Sequence, residues 1–163
     1  MQITQEKKLW NDKPSQIINL NLFLLSFVLS LLLILVPPTK ILHLPYYFNY
    51  VFVLPILYSI YLFLDTYNTT YELTSQRLRI SSGILNREIN EMELYRVIDY
   101  RIEQPLFLRI FGLSNIYIDT SDNSDPFVFI NAVSNSQNLI DTIRNSVEKI
   151  KIERGVREVN INN

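Results

Sequence analysis

The chain has 163 residues and no cysteine, so disulfides, thiolate metal sites and cysteine nucleophiles are excluded. Its 15 basic and 16 acidic residues give a net charge of −1, which disfavours a nucleic-acid-binding protein. These averages combine two unlike parts, because residues 17–64 carry one charge, Lys40, and the remaining charges lie outside this stretch.

The first element is an uncharged, mostly apolar run from Ile17 to Val36. A helix rises about 1.5 Å per residue, so this run reaches about 30 Å, the thickness of a bilayer's hydrocarbon layer. A second uncharged run follows after a short loop and is also long enough to cross. The sequence therefore predicts a helical hairpin with membrane spans at residues 17–36 and 46–64.

Two alternatives to membrane spans are a signal peptide and a pair of helices in a soluble bundle. A signal peptide is disfavoured because its apolar region has about 7 to 15 residues and no second span follows it. A bundle helix normally shows a polar face at helical spacing. The first run carries only four polar side chains, which are Asn19, Asn21, Ser26 and Ser30.

Three of these polar residues, Asn19, Ser26 and Ser30, fall near one stripe of the first helix. In lipid, small and polar residues mark the face on which another helix packs, so we expect a helix contact there. A polar pathway across the membrane is the alternative. It is disfavoured because neither run contains an ionisable residue.

Basic residues flank the two runs unevenly. Lys7, Lys8 and Lys13 precede the first run and Arg77 and Arg79 follow the second, whereas the connecting loop carries only Lys40. Because cytoplasmic flanks carry the excess of Lys and Arg, both termini are predicted to be cytoplasmic. The protein is expected in the cell membrane as a multi-pass protein.

The composition changes near Asp65, where apolar residues begin to alternate with polar ones, a pattern typical of half-buried strands. Six strands are predicted, at about residues 69–73, 77–81, 86–91, 97–103, 116–118 and 127–130. In the fourth strand, Ile98, Tyr100 and Ile102 are expected to face inward and Val97 outward.

Two helical elements are predicted within this soluble part. Pro105 and Gly112 bound a short helical turn, whose Leu106, Ile110 and Phe111 are expected to plug one end of the sheet. A longer helix, from about Ser136 to Glu153, carries one apolar stripe at helical spacing, formed by Leu139, Ile143, Val147 and Ile150. The predicted organisation is an N-terminal cytoplasmic segment (1–16), the hairpin (17–64), a soluble domain (65–153) and a tail (154–163).

Two stretches of the soluble part carry a resemblance to a known family. They read YELTSQRLRISSGILNR from Tyr71 to Arg87 and LYRVIDYRIEQPLFLRIFGLSNIYIDTSD from Leu94 to Asp122. Together with Trp10, residues 14–16 and residues 156–158, they resemble the bacterial pleckstrin-homology (PH) family bPH2. The layout of two spans and one such domain is similar to the small YdbS-like membrane proteins.

The resemblance implies the fold class: a membrane α-helical hairpin joined to an all-β PH-like barrel or sandwich that the C-terminal helix caps. Such a domain implies seven strands, where the residue pattern indicates six. The resemblance also implies a docking or assembly module at the cytoplasmic face, since family members look like scaffolds. The expected partners are the lipid bilayer and a protein partner or second copy, with open sheet edges available for strand addition.

The residues offer no catalytic set. His43 is the single histidine, and it lies in the predicted outer loop. Asp119, Asp122 and Asp125 lie close in sequence, but their spacing is not that of a calcium-binding loop and the segment is typical of a turn. We therefore expect no enzymatic activity, metal, cofactor or small-molecule substrate. An accessory subunit of a membrane enzyme or transporter is an alternative.

Arg77 and Arg79 are the candidate lipid-binding residues. In eukaryotic PH domains, basic residues around the first hairpin bind phosphoinositide headgroups, and these two arginines fall in a similar place. Guanidinium groups suit phosphate, and anionic lipid attracts each basic residue by about 1 kcal/mol. Glu72, Glu88 and Glu91 dilute this charge, so the alternative is that both arginines only solvate an exposed strand face.

Overall fold

The computed structural model describes residues 6–36, 45–122 and 125–153. They form two apolar helices, two antiparallel sheets of four and three strands, and a C-terminal helix. This arrangement fits the PH-like fold that the resemblance implies. The predicted loop residues Lys40 and His43 and the predicted tail 154–163 lie outside the described residues.

The two apolar helices each begin with a 3-10 segment. Helix α1 (Leu20–Leu35) follows the 3-10 turn Gln16–Asn19, and helix α2 (Val53–Asn68) follows the 3-10 segment Tyr46–Phe52. Helix α2 therefore continues past the predicted end at Leu64. Both helical stretches are long and apolar enough to cross a bilayer.

The four-stranded sheet contains strands that precede the helical hairpin in sequence and strands that follow it. Its strands, in order across the sheet, are β1 (Lys8–Asp12), β2 (Thr70–Thr74), β3 (Arg77–Ser82) and β4 (Glu88–Glu93). Strand β1 precedes α1 and pairs antiparallel with β2, which begins directly after α2. The sequence pattern did not predict β1. With this strand, the described residues contain the seven strands that the resemblance implies.

The three-stranded sheet and the last helix complete the domain. The sheet consists of β5 (Val97–Glu103), β6 (Leu113–Thr120) and β7 (Phe127–Ser134), and the short helix α3 (Leu106–Ile110) joins β5 to β6. Helix α4 spans Ser136–Glu153, as predicted. It packs against β5 and β6 and the short 3-10 turn before β5.

The hydrophobic core lies between the two sheets and under α4. Its most deeply buried side chains are Leu73, Leu78, Leu94, Ile116, Ile118, Ile130, Val133, Leu139 and Ile143. The buried Tyr71 hydroxyl accepts a hydrogen bond from the Asn131 backbone N–H at 3.1 Å, which links β2 to β7. Burial raises the pKa of Tyr71. Trp10 packs against the same core and so anchors β1.

The alternation predicted for β5 is wrong at its first two residues. Val97 is buried and Ile98 is 68% exposed, the reverse of the expectation. The β5–β6 register shifts between Val97 and Asp99, as at a β-bulge, and one extra residue exchanges the two faces of a strand. Beyond the bulge, Tyr100 and Ile102 pack against the core as predicted.

The predicted plug beside the sheet is also wrong about its face. Helix α3 forms between Pro105 and Gly112 as expected, and Gly112 has the positive φ of 67° that ends such a turn. The three expected plug residues are nevertheless exposed: Leu106, Ile110 and Phe111. Leu108 is buried in their place, because the opposite side of α3 contacts the protein.

We expect Val97→Asn and Ile98→Asn to separate the bulged register from simple alternation. Val97→Asn places an amide in the core and should lower the free energy of unfolding by at least about 2 kcal/mol. Ile98→Asn should change it by less than about 0.5 kcal/mol, since this side chain faces solvent. Thermal unfolding of the two variants in the same detergent measures the difference. A larger loss for Ile98→Asn would contradict the bulge.

Candidate functional site

The polar residues predicted at a helix contact lie between α1 and α2. Asn19, Ser26 and Ser30 are the buried polar residues of the first helix, on which most apolar side chains are exposed. Asn19 Nδ2 donates a hydrogen bond to Thr66 Oγ1 at 2.7 Å, and Ser30 Oγ donates one to the Phe52 carbonyl at 3.2 Å. These residues form what we call the helix seam.

A groove of about 350 Å³ follows the helix seam. Ser26, Ser30 and Ser59 line it together with aromatic and aliphatic side chains of both helices. Ser59 Oγ donates to the Pro55 carbonyl of its own helix at 3.0 Å, which leaves the groove mostly apolar. None of the described residues that line the groove is ionisable, so it offers packing and no acid–base chemistry.

Hydrogen bonds join the residues just before the first helix to α2 and to strand β7 of the domain. The backbone N–H of Ser15 donates to the Ala132 carbonyl at 3.1 Å, Gln16 Nε2 donates to the Phe63 carbonyl at 3.0 Å, and Lys13 Nζ donates to the Tyr67 carbonyl at 2.9 Å. The Lys13 ammonium also lies 4.3 Å from the centroid of the Tyr67 ring. We call Lys13, Ser15, Gln16 and these partners the junction, because they join the start of the first helix to α2 and to strand β7.

Arg77 and Arg79 lie on the exposed face of β3, where carboxylates bind both guanidinium groups. Arg77 contacts Glu6 at 2.7 Å and Glu91 at 2.6 Å, and Arg79 contacts Glu91 at 2.7 Å. The hydrogen bond from Arg77, with that from Arg79, holds the pKa of Glu91 below its usual value. Glu91 and Glu6 in turn raise the pKa of Arg77. The charges of the two arginines are thus balanced within the protein.

The β2–β3 turn lies at the end of its hairpin opposite to α2. Strand β2 begins at Thr70, and its pairing partner in β3 is Ser81. Four strand residues of about 3.3 Å each separate Thr70 from the turn, a distance of about 13 Å. The structure therefore brings Arg77 and Arg79 together with each other, and Arg77 lies at the end of β3 that is farther from the helices.

The outer side of the three-stranded sheet carries aromatic residues that the sequence analysis did not single out. Phe127 is 73% exposed, and the ring centroids of Tyr117 and Phe129 lie 4.5 Å apart. Arg101 is paired with Tyr117 across β5 and β6. We call Tyr117, Phe127 and Phe129 the outer aromatic face. Its signal in the sequence is the alternation with Val128 and Ile130, which face the core.

The three aspartates of the β6–β7 region do not form a ligand cluster. Asp122 accepts a hydrogen bond from Arg96 Nη1, and the Asp125 carbonyl accepts one from Thr120 Oγ1 at 2.7 Å. Within residues 6–36, 45–122 and 125–153, no group of three His, Cys, Asp or Glu residues is placed to hold a metal ion.

Comparison with known proteins gives one family match. The sequence model of the family described as "Bacterial PH domain" matches residues 17–145. The matched residues include both apolar helices and six of the seven strands described above, β2 to β7. No curated protein and no solved structure matches the chain.

A double-mutant cycle tests the hydrogen bond at the centre of the helix seam. Asn19→Ala and Thr66→Ala should each destabilise the protein, with a coupling of about 0.6 kcal/mol and at most about 1.7 kcal/mol, the range measured for hydrogen bonds between helices in a bilayer. Asn21→Ala is the matched control, because Asn21 lies on the exposed side of the same helix. Unfolding in detergent measures all variants, and additive losses from Asn19→Ala and Thr66→Ala would contradict the contact.

Proposed function

Because the match spans most of the chain, this protein belongs to the bacterial PH domain family, and we propose that it is a membrane-anchored, non-enzymatic docking module. In this proposal, α1 and α2 cross the cell membrane and the PH-like domain lies at its cytoplasmic face. The outer aromatic face binds a protein partner, of which a second copy of this chain is one form.

The exposure of the two apolar helices supports membrane insertion. Of the most apolar 18 residues, only 11% in the first helix and 6% in the second are buried by the rest of the described residues. A helix of the same length in the core of a soluble protein would be mostly buried. Each Å² of apolar surface left in water costs about 25 cal/mol, so two such helices need an apolar environment. A bilayer supplies it along their whole length.

The pairing of β1 with β2 supports a hairpin that returns to its starting side. Asp12 lies opposite Tyr71, and Trp10 lies opposite Leu73 in the register of the two strands. Strand β1 precedes the first helix and β2 follows the second, so both ends of the hairpin meet in one sheet. Two crossings satisfy this condition, whereas a single crossing would separate the strands.

Basic residues near the helices support the cytoplasmic side for this domain. Lys7, Lys8 and Lys13 lie shortly before the first helix, and Lys13 contacts the end of α2 at the junction. Cytoplasmic flanks of membrane spans carry such an excess of Lys and Arg.

The exposed outer aromatic face is the observation that carries the docking function. Soluble domains seldom leave contiguous apolar surface in water unless another molecule covers it. Aromatic residues beside an arginine are also the composition typical of protein interfaces. Here Phe127 and Phe129 are exposed and Tyr117 lies half-buried against Phe129, while Arg101 and Asp119 lie next to them on the same face. An accessory subunit of a membrane complex would use the same face.

Recognition of lipid headgroups by Arg77 and Arg79 is less well supported. Both guanidinium groups are engaged by Glu6 and Glu91, so a phosphate would have to displace these carboxylates. The turn that leads to Arg77 also lies at the hairpin end away from α2. We therefore place the binding function on the outer aromatic face.

Alkaline extraction of cell membranes tests the anchor. The intact chain should remain in the sedimented membrane after washing at high pH and should be released by detergent, because the hairpin is held by apolar contact with lipid. Immunoblots of the supernatant and the pellet give the distribution. Release of the folded chain into the supernatant without detergent would contradict the membrane anchor.

Substitution of the outer aromatic face tests docking. Phe127→Ser combined with Phe129→Ser should reduce the recovery of the bound protein, or of the second copy, by about tenfold or more, since aromatic anchors dominate such interfaces. Quantitative mass spectrometry after cross-linking and mild detergent extraction measures the recovery.

The matched control for this experiment is Leu85→Ser combined with Ile89→Ser. Both residues are apolar and exposed, and they belong to the four-stranded sheet: Leu85 precedes strand β4 and Ile89 lies in it. Their substitution should leave the recovery unchanged. Equal melting temperatures for the two double variants would exclude a folding defect. Unchanged partner recovery from the Phe127 and Phe129 variant, or a parent chain that is purely monomeric without partner, would contradict the docking function.

A further inference from the structure

Helix α3 exposes an apolar surface that the core does not explain. Leu106 and Ile110 are 79% and 78% exposed, and about half of the Phe111 side chain faces outward. The rings of Phe107 and Phe111 contact each other edge to face, with centroids 5.5 Å apart. Leu106 and Ile110 are four residues apart, so both lie on one side of this short helix. We call Leu106, Ile110 and Phe111 the α3 surface.

The inner side of α3 fixes its position beside the start of the first apolar helix. Leu108 is buried together with Leu113 and Ala132, and this cluster packs against Ile17 and Ile18. Ile17 and Ile18 lie within the first candidate span, which begins at Gln16. Helix α3 therefore lies beside the start of the first apolar helix, at the end of the hairpin nearest the domain.

The chemistry of the α3 surface matches the interface of a bilayer. Large aliphatic and aromatic side chains enter the boundary between acyl chains and headgroups, and basic side chains nearby reach the phosphates. Arg109 is exposed and sits in the last turn of α3, between Leu106 and Ile110 in sequence. At the junction, Lys13 and Tyr67 form another basic and aromatic pair on the same end of the hairpin.

We propose that α3 lies in the cytoplasmic interface of the membrane, with the α3 surface inserted among the upper acyl chains and Arg109 at the lipid phosphates. The inference rests on the proposed function, because it requires the hairpin to cross the membrane. Lipid is the occupant to which the position points, because the buried side of α3 packs against Ile17 and Ile18 at the start of the first candidate span. Insertion of α3 gives the protein a third membrane contact beside its two spans.

Site-directed spin labelling tests the position of α3, and the absence of cysteine in the chain makes single labels straightforward. Leu106→Cys and Ile110→Cys report on α3, Leu25→Cys reports on the middle of the first span, and Leu85→Cys reports on a fully exposed position of the domain. Each labelled full chain is reconstituted in vesicles of phosphatidylcholine and phosphatidylglycerol. Collisions with oxygen, which favours lipid, and with a water-soluble nickel complex are then compared.

The labels at positions 106 and 110 are expected to show an oxygen-to-nickel collision ratio shifted toward that of position 25 and away from that of position 85. A water-like ratio at 106 and 110 with a lipid-like ratio at 25 would overturn the inference and leave the membrane anchor intact. A water-like ratio at 25 as well would overturn the anchor itself. Labels at 106 and 110 that are shielded from both reagents would show that protein covers α3, which also overturns lipid contact.

Discussion

The pairing of β1 with β2 constrains the rest of the molecule, because the chain between these neighbouring strands must leave the sheet and return to its edge. The excursion is the helical hairpin, and the hydrogen bond between Asn19 and Thr66 joins its two helices close to where they meet the domain. Contacts of Ser15 with Ala132 and of Ile17 with the Leu108 cluster extend the same joint to the other sheet. Hairpin and domain are therefore one packed unit, and each surface has a fixed position relative to the helices.

Most of the fold could be predicted because the spacing of apolar residues along the sequence indicates which residues of each element are buried. The apolar runs, the alternating strands and the stripe of α4 all contain such a signal. Strand β1 does not, since Lys8, Asn11 and Asp12 are polar and Trp10 alone contacts the core. Its pairing depends on residues beyond the hairpin. The bulge at Val97 depends on the register with β6, and the face of α3 depends on where the first helix begins, so neither can be deduced from local spacing.

The candidate site residues differ in the same way. Asn19, Ser26 and Ser30 stand out in an apolar run, so their position on one helix face follows from spacing alone. For Arg77 and Arg79, the sequence indicates the dilution of charge by Glu91, but it does not indicate the ion pair with Glu6, which precedes the helical hairpin and reaches Arg77 only in the folded chain. Apolar residues stand on both faces of β7, so spacing alone does not show whether its aromatic side chains face the core. Tertiary pairing thus decides whether a charge is free or balanced and whether an aromatic ring is covered.

The interrupted first sheet has a consequence for biosynthesis. The ribosome makes β1 before either helix, yet the strand that completes its hydrogen bonding emerges only after the second. In the proposed membrane arrangement, a nascent chain with one inserted helix would hold β1 and β2 on opposite sides of the lipid. Its domain would then lack an edge strand and leave Tyr71 and Leu73 without their cover from Trp10. The first sheet would therefore be completed only after both helices have been inserted.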